Sequence, residues 1–139
     1  MDYGLLASEL LDVRAKLLQV PVTQQMYKMV KGELFVLNYL LTHNRIVHPK
    51  ELSEQMTVTT ARIASLLNHM EEKKFIERHP DPEDNRQIIV YLTDTGRDAI
   101  EATRAEVIQY IADMLRQLGP EDAEDYIRIQ KKIWNINTR

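Results

Sequence analysis

The run from Thr59 to Gly96 constrains this chain more than any other part of it. Thr59 suits the N-cap of a helix, and Ile63, Leu66, Leu67 and Met70 recur behind it at helical spacing. Thr60, Arg62, Ser65, Asn68 and His69 fall on the opposite side, leaving one face to bury and one for solvent. Burying the four apolar side chains contributes roughly 6–12 kcal/mol before entropy, at about 1.5–3 kcal/mol each. The helix runs out at Met70-Glu71-Glu72-Lys73-Lys74. Two short strands follow, near Phe75–His79 and Gln87–Leu92, the second rich in Ile and Val. Between them lies a charged turn, Asp81-Pro82-Glu83-Asp84-Asn85-Arg86, and after them Leu92-Thr93-Asp94-Thr95-Gly96 opens another capped helix.

The rest of the chain reads as helices around this unit. Leu6, Leu10, Val13 and Leu17 form a heptad-like seam on a first helix, which Pro21 interrupts. Val30, Leu34, Leu37 and Leu41 mark a second helical stripe, broadened by Leu40 and ending near His43-Asn44-Arg45. Pro49 fits the first turn of a short helix from Pro49 to Met56, with Leu52 inward and a tight turn at Thr57-Val58. The helix after Thr93 is long, with Ile100, Val107, Ile111, Met114 and Leu118 inward. A last helix begins near Pro120 and carries Tyr126, Ile129, Ile133 and Ile136 on one stripe, with Ile127 and Trp134 beside it. No internal repeat, low-complexity segment or flexible linker interrupts the sequence.

A helix with a free polar face, followed by a hairpin with arginine at its tip, is the pattern of a winged helix. Such a unit meets double-stranded DNA with two elements at once. The predicted fold is mainly α with a small β hairpin, as a single winged helix-turn-helix domain over residues 1–139. Its core spans about residues 30–97, flanked by helices over about 1–20 and 98–139. A small domain has little need for long apolar helices outside its core, so these are expected to pack against a second copy. A twofold homodimer matches a palindromic operator, with reading helices about 34–36 Å apart.

Composition narrows the alternatives. The 139 residues include no cysteine, which excludes disulfides and thiol redox chemistry. No apolar run reaches the roughly 18–20 residues of a membrane span, and the N-terminus does not look like a signal peptide, so a cytoplasmic location is expected. The net charge of −3 is unusual for a nucleic-acid binder, whose affinity draws on phosphate neutralisation, so any DNA contact must come from a local basic surface. Glu121, Asp122, Glu124 and Asp125 account for part of the excess as the acidic first turn of the last helix. His43, His48, His69 and His79 include no pair at the i, i+4 separation of a helical metal site, so no metal or other cofactor is expected. Without a nucleophilic cysteine, a glycine-rich phosphate loop or a histidine with an evident partner acid, an enzyme is not expected either.

The residues resemble the MarR (multiple antibiotic resistance regulator) family of bacterial winged-helix transcription factors. The likeness is clear over about residues 30–118. It rests on Asp84-x-Arg86 followed by Leu92-Thr93-x-x-Gly96, preceded by Ile76-Glu77-Arg78-x-Pro80-Asp81-Pro82. The resemblance implies that Arg86 is the wing arginine entering the minor groove, braced by Asp84. Thr59 caps the reading helix, and Thr60, Ala61, Arg62 and Ser65 match the part that meets base edges. Arg62 is the candidate for bidentate contact with guanine. Asn68, His69 and Arg78 are placed for phosphates. The family further implies a homodimeric repressor released by a small-molecule effector, for which Arg14, Met26, Tyr27, Met29 and Tyr39 are candidate ligand contacts. Two positions depart from the family pattern: Lys74 stands where glycine commonly ends the reading helix, and His48 where serine or threonine commonly caps the third helix. The alternative left open is a winged-helix module that binds protein and not DNA.

Overall fold

The computed structural model describes residues 1–138. Its elements in chain order are α1 (Tyr3–Leu17), α2 (Pro21–Lys28), α3 (Gly32–Thr42), α4 (Pro49–Met56), α5 (Thr60–Glu72), β1 (Ile76–Pro80), β2 (Ile88–Leu92), α6 (Asp94–Leu118) and α7 (Pro120–Asn137). The strands pair antiparallel, with Ile76 opposite Leu92 and Pro80 opposite Ile88. The core is built by one face of α3 (Val36, Leu37, Leu40), Leu52 of α4, the four predicted residues of α5, Ile76 and Val90 of the hairpin, and Ile100 of α6. Every one of Ile63, Leu66, Leu67 and Met70 is buried, so the amphipathic pattern of α5 translates directly into packing.

Two expectations need correction. Pro21 does not merely interrupt a helix: it occupies the first position of α2, where its missing N–H costs nothing. Val30 then lies in the turn between α2 and α3 and is exposed, so the stripe on α3 begins at Leu34. Lys74 ends the helix without the family's glycine, taking the left-handed conformation itself at φ 65°. The amide of Phe75 donates to the Met70 carbonyl (3.0 Å) and that of Lys74 to Glu71 (2.9 Å), the paired bonds of a Schellman end. The Thr93 hydroxyl donates to the Lys74 carbonyl at 2.6 Å, helping to hold a conformation that costs a β-carbon-bearing residue about 1–2 kcal/mol.

The Leu92-Thr93-x-x-Gly96 signature acquires a physical meaning here. Thr93 caps α6 by accepting from the Gly96 amide (3.0 Å), and its own amide donates to the Phe75 carbonyl (3.1 Å). The start of α6 therefore lies directly on the chain leaving α5, with no room for a side chain at position 96. At the other extreme, α1 and α7 bury no residue in the single chain, while Leu10, Leu11, Ile133 and Trp134 stand exposed on them. Along α6, Ile100 and Val107 are buried, but Leu118 at its end is exposed.

Candidate nucleic-acid interface

The helix-turn-helix consists of α4 and α5, joined at Thr57, which adopts φ 54° and ψ 48°. At the start of α5 the Thr59 hydroxyl accepts from the Arg62 amide at 3.0 Å. Thr59, Thr60, Ala61 and Arg62 are exposed in this first turn, and Ser65 is half-buried one turn on. Arg62 is exposed, and among the described residues its guanidinium takes part in no hydrogen bond or ion pair.

Asn68, His69 and Arg78 lie further along the same face, and they are not equivalent. Arg78 reaches from β1 to α5, donating from Nε to Glu71 (2.8 Å) and from its fork to Asn68 Oδ1 (2.7 Å). The guanidinium thus fastens the first wing strand to the reading helix, while His69 stays exposed. Glu71 was not singled out in the sequence, because only the fold shows that its carboxylate faces a strand residue.

The wing tip is a small closed loop. Asp84 accepts both the Arg86 amide and its Nε at 3.1 Å. The arginine side chain is otherwise 91% exposed, so the carboxylate directs it without covering it. Hydrogen bonds from the Arg86 side chain and amide hold the Asp84 carboxyl below its ordinary range. The base of the wing is tied to the body by the Val90 amide donating to the Val47 carbonyl (3.0 Å). His48 carries no capping bond for α4; its Nε2 lies 2.9 Å from Asp81 Oδ2 instead.

A second polar cluster escaped sequence reading. Tyr39, Arg45 and Glu51 join α3, the following loop and α4: Arg45 donates to Glu51 with both terminal nitrogens, and the Tyr39 hydroxyl donates to the same carboxylate. The Arg45 hydrogen bonds, aided by that of Tyr39, hold the Glu51 carboxyl at about 2. His43 stacks on the Tyr39 ring with centroids 3.8 Å apart. Tyr39 is therefore a buried strut of the helix-turn-helix, away from the cavity that gathers other effector candidates. Met29 packs against the core. Of the five effector candidates, Arg14, Met26 and Tyr27 do come together, lining a cavity of about 520 Å³ with Leu11, Thr23 and Tyr126 between α1, α2 and α7.

Comparisons with known proteins agree with this geometry. The uncharacterised HTH-type transcriptional regulator YwhA of Bacillus subtilis is 26% identical over 140 residues, covering 96% of this chain and 99% of that one. YdgJ of the same organism, also an uncharacterised HTH-type transcriptional regulator, is 29% identical over 96 residues; the match spans 69% of this chain but only 58% of that relative. A MarR family protein from Bacillus stearothermophilus shares the fold with a TM-score of 0.79 at 20% identity, over 100% of this chain and 99% of that one. A mutant of Staphylococcus aureus MepR, a transcription regulator of a multidrug efflux pump, was solved bound to an oligodeoxyribonucleotide and matches at TM-score 0.61 and 21% identity, over 95% of this chain and 98% of that one. The family described as transcriptional regulator SarA/Rot matches residues 20–103. With that match over more than half its length and a winged-helix fold of the MarR type, the chain belongs to the SarA/Rot family of transcriptional regulators.

Proposed function

We propose that this regulator binds double-stranded DNA directly, as a homodimer, and represses transcription until a small molecule releases it. Each subunit places the first turn of α5 in a major groove, with Arg62 reading a guanine edge and Thr60, Ala61 and Ser65 beside it. Arg86 enters the adjoining minor groove, whose negative potential attracts a guanidinium. Asn68, His69 and Arg78 face the phosphate backbone. The observation that carries the reading is the pairing of an exposed helix start, capped by its own Thr59, with a wing arginine 91% exposed at the hairpin tip.

The dimer reading draws on α1 and α7, whose leucines, isoleucines and Trp134 find no cover within one chain. The domain assignment follows: one domain over residues 1–139, with a DNA-binding core of about 30–97 and dimerisation helices at about 1–20 and 98–139. An effector with an anionic group fits the cavity beside Arg14, Met26 and Tyr27, where a shift of α1 and α2 would alter the spacing of the two reading helices. The regulator acts in the cytoplasm and without enzymatic activity. No helix among the described residues is long and apolar enough to cross a membrane.

The test is a gel-shift titration on genomic fragments selected by the protein, run at one salt concentration with circular dichroism as a folding control. Wild type should retain palindromic fragments, and Arg86→Ala should bind them at least about tenfold more weakly, equivalent to 1.4 kcal/mol. Folded Arg86→Ala with unchanged affinity removes the wing from the mechanism, and failure of wild type to select any DNA removes the function.

A further inference from the structure

A two-stranded hairpin is marginal by itself and takes its orientation from whatever it is attached to. Here Ile76, Ile89 and Val90 are buried, and Val90 is bonded to Val47, so the strands are anchored at their base. Beyond Pro80 these attachments cease. Among the described residues, the hydrogen bonds of residues 82–87 all stay within the loop. The Glu83 amide donates to Asp81 Oδ1 (2.9 Å), the Asp84 amide to the Asp81 carbonyl (3.2 Å), and the Asp81 amide to the Gln87 carbonyl (2.9 Å). The loop is closed on Asp81, and Asp81 has one further partner, His48, 33 positions earlier in the chain.

That contact has the character of an anchor. The Asp81 side chain is only 11% exposed and that of His48 30%, in a region where neighbouring wing charges stand in solvent. A carboxylate this withdrawn from water needs hydrogen-bond donors, and His48 supplies the one that comes from outside the wing. His48 immediately precedes Pro49 at the head of α4, so its ring is fixed to the helix-turn-helix. The links then run from α4 through His48 to Asp81, through the Asp81 carbonyl to Asp84, and through the Asp84 carboxylate to Arg86.

We propose that His48 and Asp81 are a positioning pair for DNA binding, locking the wing tip to the helix-turn-helix so that Arg86 is presented at a fixed distance from α5. The inference rests on the DNA-binding reading above and adds to it a residue on α4's border that touches no DNA. Its energetic logic is preorganisation: a tip held in place before binding spares the complex the cost of ordering it.

A double-mutant cycle tests it. Kd is measured by fluorescence anisotropy on one selected fragment at one salt concentration, for wild type, His48→Ala, Arg86→Ala, the double variant and His48→Gln. Loss of the anchor should weaken binding about tenfold in the wild-type background and less than about twofold in Arg86→Ala, because neighbours in one network are not additive. His48→Gln, whose amide nitrogen donates from a similar reach, should recover most of the loss. Hydrogen exchange on the free protein provides the local readout: His48→Ala should speed exchange across residues 82–87 while α4 and α5 keep their protection. Equal losses in both backgrounds, no recovery by glutamine, or exchange that rises across α4 and α5 together would each overturn the pair as a positioning device. Wild type binding DNA normally while His48→Ala also binds normally sinks this inference alone; wild type binding no DNA sinks the underlying reading and the inference with it.

Discussion

Replacing Gly96 with alanine sets two quantifiable effects against each other. Position 96 lies in the first turn of α6, where alanine gains about 1 kcal/mol over glycine in intrinsic helix preference. A β-carbon there meets the Phe75 carbonyl oxygen at 2.1 Å, its carbonyl carbon at 2.9 Å and Leu92 Cδ1 at 2.9 Å. The leucine tip can rotate away, but the carbonyl belongs to the backbone that follows Lys74. Restoring ordinary contact requires α6 and that backbone to separate by about 1.4 Å, given contact distances near 3.5 Å. The same carbonyl accepts the Thr93 amide, and the Lys74 carbonyl beside it accepts the Thr93 hydroxyl, so separation stretches both bonds. Overpacking costs about 1–3 kcal/mol, and each lost hydrogen bond about 0.5–1.5 kcal/mol. The steric side wins, leaving a net destabilisation of about 1–5 kcal/mol. For a chain of this size that lowers Tm by roughly 3–17 °C. Thermal melts followed by circular dichroism, with guanidinium titrations for confirmation, measure it. A Gly96→Ala protein melting at or above wild type would show that α6 floats freely on the hairpin and that the glycine answers no packing demand.

Three further perturbations probe other parts of the molecule. Arg62→Ala should cost about 1–3 kcal/mol of binding and relax preference at one position per half-site, read by titrating the best site and its single-base variants; uniform weakening would demote Arg62 to a phosphate contact. The Glu51 carboxyl, held at about 2 against an ordinary 4.5, contributes stability that is complete above 4.5 and is lost as pH falls towards 2. Glu51→Gln should therefore flatten the decline of Tm across that interval, and an unchanged pH profile would dismiss the Arg45–Glu51 pair as a stabilising element. Ending the chain after Leu118 removes Ile129, Ile133, Trp134 and Ile136 and should yield monomers or aggregates in sedimentation, whereas a well-behaved dimer that still binds DNA would place the interface elsewhere.

What the sequence disclosed and what it withheld follow from the range of the forces involved. The burial of Ile63, Leu66, Leu67 and Met70 was legible because a 3.6-residue period is a local property. The cap at Thr93 and the bounds of α4 were legible for the same reason, with proline and threonine as punctuation. Pro21 shows the ambiguity of a local signal, since the residue that ends one helix also starts another. Lys74 hid its left-handed conformation because the bonds from Thr93 that support it come from 19 residues further on. Tyr39 and Met29 occurred at helical spacing on α3 and before it, a pattern that core residues and pocket residues share. The pairs His48–Asp81, Arg78–Glu71 and Arg45–Glu51 depended on tertiary contact, and no single-chain pattern announces them.

The acidic balance of the chain takes on a different meaning once the partners are known. A net charge of −3 argues against a protein that holds DNA by bulk attraction. Yet several acids near the interface are engaged with a basic group of the same surface: Glu71 with Arg78, Asp84 with Arg86, Asp81 with His48, and Glu33 with Lys73. Apart from the withdrawn His48–Asp81 contact, exposed pairs of this kind contribute only about 0–1 kcal/mol to stability, so their consequence is geometric. A guanidinium held by a carboxylate keeps its charge but loses its freedom, and it is presented in one orientation. Arg78, bound through Nε and one terminal nitrogen, keeps its other terminal nitrogen for a phosphate without giving up Glu71 or Asn68. Arg86, bound on one side and open on the rest, has its remaining donors free. In the proposed DNA complex, affinity would come from few contacts whose directions are set in advance, the arrangement that favours discrimination between sequences over tight binding to all of them.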